Sequence, residues 1–155
     1  MNLYYLLLAV GAFAMMELAA TLFHCYIMHG IGWRLHQSHH TRRHSAWELN
    51  DLYAVGFSLA TGLLFALGGR HASLWWIACG VTAYGLVYAL MHDVLVHQRL
   101  ALKWQIKNRY LKHLITAHHL HHASIAREGS VSFGFLYAPP LSKIRAQMHR
   151  HGKST

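Results

Sequence analysis

The stretch HQSHH, His36 to His40, recurs as HHLHH, His118 to His122, and both contain His-x-x-His-His. Imidazole binds borderline metal ions through an uncharged nitrogen and titrates near neutral pH, so histidine repeated in register points to metal, haem or proton chemistry. Set out in full, the spacing is His24-x4-His29, His36-x2-His39-His40, His92-x4-His97 and His118-x2-His121-His122, one pair of motifs occurring twice. On a helix, positions i, i+3 and i+4 share a face, so each His-x-x-His-His presents three imidazoles toward one point. These ten histidines are the candidate metal ligands. A lone histidine is more often a hydrogen-bonded core or surface residue, and His44, His71, His113, His149 and His151 are read that way. His119 sits inside the repeated motif but outside its spacing.

Neutral nitrogen donors without an obvious carboxylate ligand suit zinc, iron, copper or nickel. Structural zinc takes four ligands, usually including Cys, so ten histidines are too many for one such ion. Two ions with about five histidines each would leave a coordination position open on each for O2 or water, which fits two irons in oxygen chemistry. Asp93 beside His92, and Glu48 or Asp51 after the second motif, are candidates to accept from imidazole N–H groups. Cys25 and Cys79 form no CxxC and lie in apolar surroundings, so they are expected to be small buried hydrophobes.

Three uncharged or nearly uncharged runs must carry these motifs. Residues 2–23 hold no Lys or Arg and one acid, Glu17; residues 52–69 and 74–91 hold no charge at all. Each is about the length that a bilayer core requires, and the last two read as a hairpin rich in Gly, Ala, Ser and Thr that permits close helix contact. No basic residue precedes Arg34, which argues against a signal peptide. Threading three spans puts Arg70 on one side and 13 of the 14 Lys and Arg on the other, the bias of a cytoplasmic face. The net charge of +9 is thus a topology signal and gives no reason to invoke nucleic acid.

The expected fold is a single all-α membrane domain over residues 1–155 with about three to four transmembrane helices. Residues 24–51 and 92–155 would form a cytoplasmic histidine-rich cap. Glu17 lies seven residues before His24, on the same helix face and about 10 Å lower, where it could steady the site from below. From Gln98 to Ile115, Trp104, Ile106, Tyr110, Leu111 and Leu114 approximate the stripe of a helix lying at the interface. The basic tail after Pro139-Pro140 is expected to be solvated or to face headgroups. Tyr53, Trp75, Trp76 and Tyr88 are expected in packing or membrane-belt roles, with a substrate pocket as the alternative.

At HCYIMHGIGWRLHQSHH, ELND from Glu48, HDVLVHQR from His92, AHHLHHA from Ala117 and SVSFGFLYAPP from Ser130, the chain resembles the fatty acid hydroxylase superfamily of membrane di-iron enzymes. Within it the pattern is most similar to the bacterial carotenoid beta-ring hydroxylases. His44 and His119 depart from that pattern, in which a small residue and a basic side chain are usual. The resemblance implies 3-hydroxylation of beta-ionone rings, beta-carotene to zeaxanthin through beta-cryptoxanthin, with canthaxanthin to astaxanthin as an extension to keto rings. It further implies two irons, O2 and electrons from an external NAD(P)H reductase through ferredoxin. It places the enzyme in the bacterial inner membrane with its site on the cytoplasmic side. The chain carries no GxGxxG after a strand and no flavin or Fe–S motif, in keeping with an external electron source. Three other readings are weighed: a sterol or fatty acyl hydroxylase or desaturase on the same metals, a b-type haem protein, and a metal transporter.

Overall fold

The computed structural model describes residues 2–41, 45–100, 102 and 104–151, with the side chain of His151 excluded, and His44 lies outside them. Six α-helices make up the described chain: α1 Leu3–Leu22, α2 Trp33–His40, α3 Asp51–Gly68, α4 Ala72–Ala89, α5 Arg109–His121 and α6 Leu141–His151. Two of them run on in wider, π-type turns, α1 through Phe23–Ile31 and α4 through Leu90–Val96. Three helices are long and apolar enough to cross a membrane, Leu3–Ile31, Asp51–Gly68 and Ala72–Val96, with mean hydropathy of 2.1, 1.5 and 1.6.

These helices turn their apolar side chains outward. No residue of α1 is buried, and Gly68 is the one buried residue of α3. In water such a surface would be costly; in lipid it is the expected exterior. Helix α4 packs between α1 and α3. At Gly80 a Cβ would lie 2.2 Å from the Ala9 carbonyl oxygen, so only glycine lets α4 approach α1 this closely. The core lies in the cap, where Met91, Leu114, Ala117, Val131, Ala138 and Ile144 form one buried cluster.

The first spanning helix runs on past Phe23 in wider turns that carry His24 and His29, and its backbone leaves helical geometry at Gly30. Three expectations need correction. The described residues between Gln98 and Asn108 are irregular, and the helix begins only at Arg109, where the Asn108 side chain accepts from the backbone N–H groups of Tyr110 and Leu111. Gln98 itself has a φ of 48°, which ends the preceding helix. The basic tail is not merely solvated: α6 buries Ile144 completely, and Leu141 and Met148 pack on the same core from the same helix face. Cys25 and Cys79 are unpaired and half-buried rather than fully buried.

Candidate metal centre

The ten spaced histidines meet at the cap end of the spanning helices. His-x4-His is the wrong spacing for an α-helix, where five residues turn the side chain roughly 140° away. The π-type turns supply i→i+5 hydrogen bonds that stack residues five apart, and the His97 N–H donates to the His92 carbonyl at 2.9 Å. Helix α1 thereby offers His24 and His29 together, and α4 offers His92 and His97.

The donor atoms of His24, His29, His36, His40 and His121 all lie within 4.8 Å of one another, and so do those of His39, His92, His97 and His118. His122 adjoins the second group, its Nε2 2.9 Å from that of His118 and its ring 4.7 Å from that of His39. The arrangement is a pseudo-repeat with an exchange at its centre. Each group takes one His-x4-His pair, the first and last histidines of one His-x-x-His-His motif, and the middle histidine of the other.

A test of metal fitness comes from the far side of each ring. Nδ1 donates to a carbonyl oxygen in His24 (Phe133, 3.0 Å), His29 (Arg127, 3.0 Å), His40 (Ser124, 2.9 Å) and His121 (Val131, 2.9 Å). It donates to Asn50 Oδ1 in His36 (2.7 Å), to Glu48 in His39 (2.8 Å) and to Asp93 in His92 (2.9 Å). A neutral imidazole has one N–H, so seven rings turn a bare Nε2 lone pair inward. Yet Nε2 faces Nε2 at 3.1 Å in His24 and His36, 3.2 Å in His29 and His121, and 2.9 Å in His39 and His92. Lone pairs do not hydrogen-bond to each other. Donors at right angles about 2.1 Å from one ion lie about 3.0 Å apart, so these residues fit a shared cation. A porphyrin plane has no room between nitrogens this close, which removes the haem reading.

Burial keeps His36, His39, His40, His97, His118, His121 and His122 neutral. It is the largest cause at each, and neighbouring imidazoles push the same way, taking His36 from the usual 6.5 to about 3, His40 to about 4 and His97 to about 3. His39, His118, His121 and His122 are pushed down likewise. Aromatic side chains exclude water from the first group: Phe135 stacks on His24 at 5.2 Å, and Trp33 covers His29 and His40 at 5.1 and 5.3 Å.

Curated relatives match most of the chain. It is 54% identical over 139 residues to the beta-carotene hydroxylase of Pantoea ananas, covering 88% of this chain and 79% of that protein. It is 45% identical over 148 residues to the beta-carotene hydroxylase of Paracoccus sp. (strain PC1), covering 94% and 91%. The chain belongs to the beta-carotene hydroxylase family. The chain is also 38% identical over 141 residues to the chloroplastic beta-carotene 3-hydroxylase of Haematococcus lacustris, with 86% of this chain matched to 43% of that longer protein. No family model and no solved structure matches the chain.

Within this hydroxylase the expected acids divide. Asp93 and Glu48 hold imidazoles, whereas Asp51 pairs with Arg99 at 2.8 Å and accepts from the Glu48 backbone N–H. Glu17 does steady the site: its Oε1 accepts from the backbone N–H groups of Phe135, Leu136 and Tyr137 at 2.9, 3.0 and 3.1 Å, and its Oε2 from the Tyr84 hydroxyl at 2.8 Å. A Cβ at Gly134 would lie 3.0 Å from Glu17 Oε1 and 2.3 Å from the Tyr137 carbonyl oxygen, so glycine is needed for that turn. His119 is exposed and stands outside both groups. Of the four aromatics, Tyr88 stacks on His92 at 4.8 Å, while Tyr53, Trp75 and Trp76 pack on Phe23, Phe65 and Tyr5. Sequence reasoning missed Asn50, Arg99 and the carbonyls of Ser124, Arg127, Val131 and Phe133.

Proposed function

We propose that this chain is an O2-dependent, di-iron monooxygenase that hydroxylates carotenoid beta-ionone rings at C3, converting beta-carotene to zeaxanthin through beta-cryptoxanthin. The observation that carries this reading is the opposed Nε2 atoms: imidazoles committed through Nδ1 to fixed acceptors face one another in two groups, in a chain 54% identical to a named beta-carotene hydroxylase. All ten spaced histidines serve as ligands, His24, His29, His36, His40 and His121 for one iron and His39, His92, His97, His118 and His122 for the other. Iron, when bound, supplies the oxygen activation for which the chain has no side chain. The residues do the rest. Carbonyl and carboxylate acceptors hold each proton at Nδ1 and fix ring direction. Phe133, Phe135 and Trp33 keep water away. The apolar exterior lets a water-insoluble substrate reach the cap laterally from lipid.

The charge distribution supports a bacterial inner-membrane location with the cap cytoplasmic, since 13 of 14 Lys and Arg lie on the cap side. Electrons would come from a reductase through a ferredoxin-type carrier. Expression in cells that accumulate beta-carotene tests the reading. Mono- and then dihydroxylated pigment is expected, and unchanged pigment beside folded, iron-loaded protein and a working donor would refute it.

A further inference from the structure

The two histidine groups repeat each other in their inward face and differ in their outward one. Every imidazole of the first group is braced through Nδ1 by an uncharged acceptor, four backbone carbonyls and the Asn50 amide. In the second group His39 and His92 are braced by the carboxylates of Glu48 and Asp93. Arg99 ties these together, 3.1 Å from Glu48, 2.8 Å from Asp51 and 3.7 Å from Asp93. The carboxylates of Glu48 and Asp93 thus stand directly behind two rings of the second group, where the first group has only neutral acceptors. Among the described residues, no hydrogen-bond acceptor engages Nδ1 of His97, His118 or His122, so those rings are freer to tilt. A small cavity of about 10 Å³ lies against the second group, lined by His92 and His118 with Met91, Val96, Leu114, Gly134 and Phe135. That is about the room one water-sized molecule takes.

We propose that the two metal positions have separate roles: the first is a closed, neutral anchor, and the second is the position that admits a small diatomic ligand and is tuned by Glu48 and Asp93. This rests on the two-iron reading above. A carboxylate on Nδ1–H makes an imidazole a stronger donor, so the ion at the second position feels more electron density than its twin. Three unbraced rings let its coordination change while the first position stays fixed. The cavity gives the ligand a place to stand before and after it binds, and Phe135 separates it from the first group, stacked on His24. Glu48 and Asp93 are positioning residues that act through the rings they hold.

Nitric oxide added to the ferrous protein without substrate tests this. Two irons and one nitrosyl per chain are expected, seen as one iron–nitrosyl paramagnetic signal and one N–O stretch. Glu48→Gln and Asp93→Asn should raise the N–O stretch and weaken iron binding at one position by about 10–100-fold. Asn50→Asp, which adds a charge behind His36 in the first group, should leave the stretch unmoved. Two nitrosyls per chain, none, or a stretch that moves with Asn50→Asp and not with Asp93→Asn would overturn the proposal while leaving two-iron hydroxylation standing. Fewer than two irons in the unmodified protein would overturn both. Should the carboxylate variants fail to fold, the nitrosyl count in the unmodified protein still decides.

Discussion

His39 and His121 are the middle members of their motifs, and each crosses to the group fed mainly by the other motif. On the proposed two-iron reading, removing either imidazole would open one ion's surroundings and leave its neighbours with an uncompensated gap. His39→Ala or His121→Ala is expected to abolish hydroxylation and to lower iron from two toward one per chain by elemental analysis. His149→Ala, on α6 and outside both groups, should keep both iron and activity. Acid should act through the same rings. His36, His40 and His97 titrate near 3, 4 and 3 when folded, against 6.5 when exposed, so below pH 6.5 the unfolded chain binds protons that the folded one refuses. Their contribution to stability is complete above pH 6.5 and drains away as pH falls toward 3 to 4. The metal-free protein in detergent should therefore melt at a lower temperature at pH 5 than at pH 7.5. An unchanged or higher melting temperature at pH 5 would show these rings to be protonated in the fold.

At the scale of elements, the irregular segment between α5 and α6 carries four of the five braces of the first group, and Glu17 in α1 anchors it. Glu17→Ala would orphan three backbone N–H groups, at a cost of about 3 kcal/mol or more. It should lower iron occupancy although no ligand is touched; normal occupancy and melting would show the anchor to be dispensable. Glu17→Gln, which keeps an acceptor, should be milder. This linkage also shows what could be read beforehand. The ten candidate ligands were legible because their spacing repeats, and Glu17 because a carboxylate in an apolar run is costly. Carbonyl braces were not, since every residue carries a carbonyl and only folding chooses among them. The π-type turns had a signal: His-x4-His agrees with no α-helical face, and twice is more than accident. The α6 helix had one too, in the spacing of Leu141, Ile144 and Met148, masked by the basic residues between them.

For the whole molecule, the charge bias predicts that the cap faces the cytoplasm. In a Cys25→Ala, Cys79→Ala background, cysteine at position 71, in the turn before α4, should react with an impermeant maleimide on intact cells. Cysteine at position 128, beyond α5, should react only after lysis; the reverse pattern would place the cap outside. Three spanning helices with few buried side chains hold one another weakly, by small-residue contact rather than by a shared core. The exchange of His39 and His121 bears on that weakness. Each ion would join the first fifty residues of the chain to residues after α4, so two ions would be two cross-links closing loops of roughly 50 to 100 residues, long enough for a tether to remove much entropy from the unfolded chain. Neither link can be made from one half of the sequence alone. The hinges that hold α1, α2, α4 and α5 in register are then inorganic, and resistance to detergent and protease should rise stepwise with occupancy.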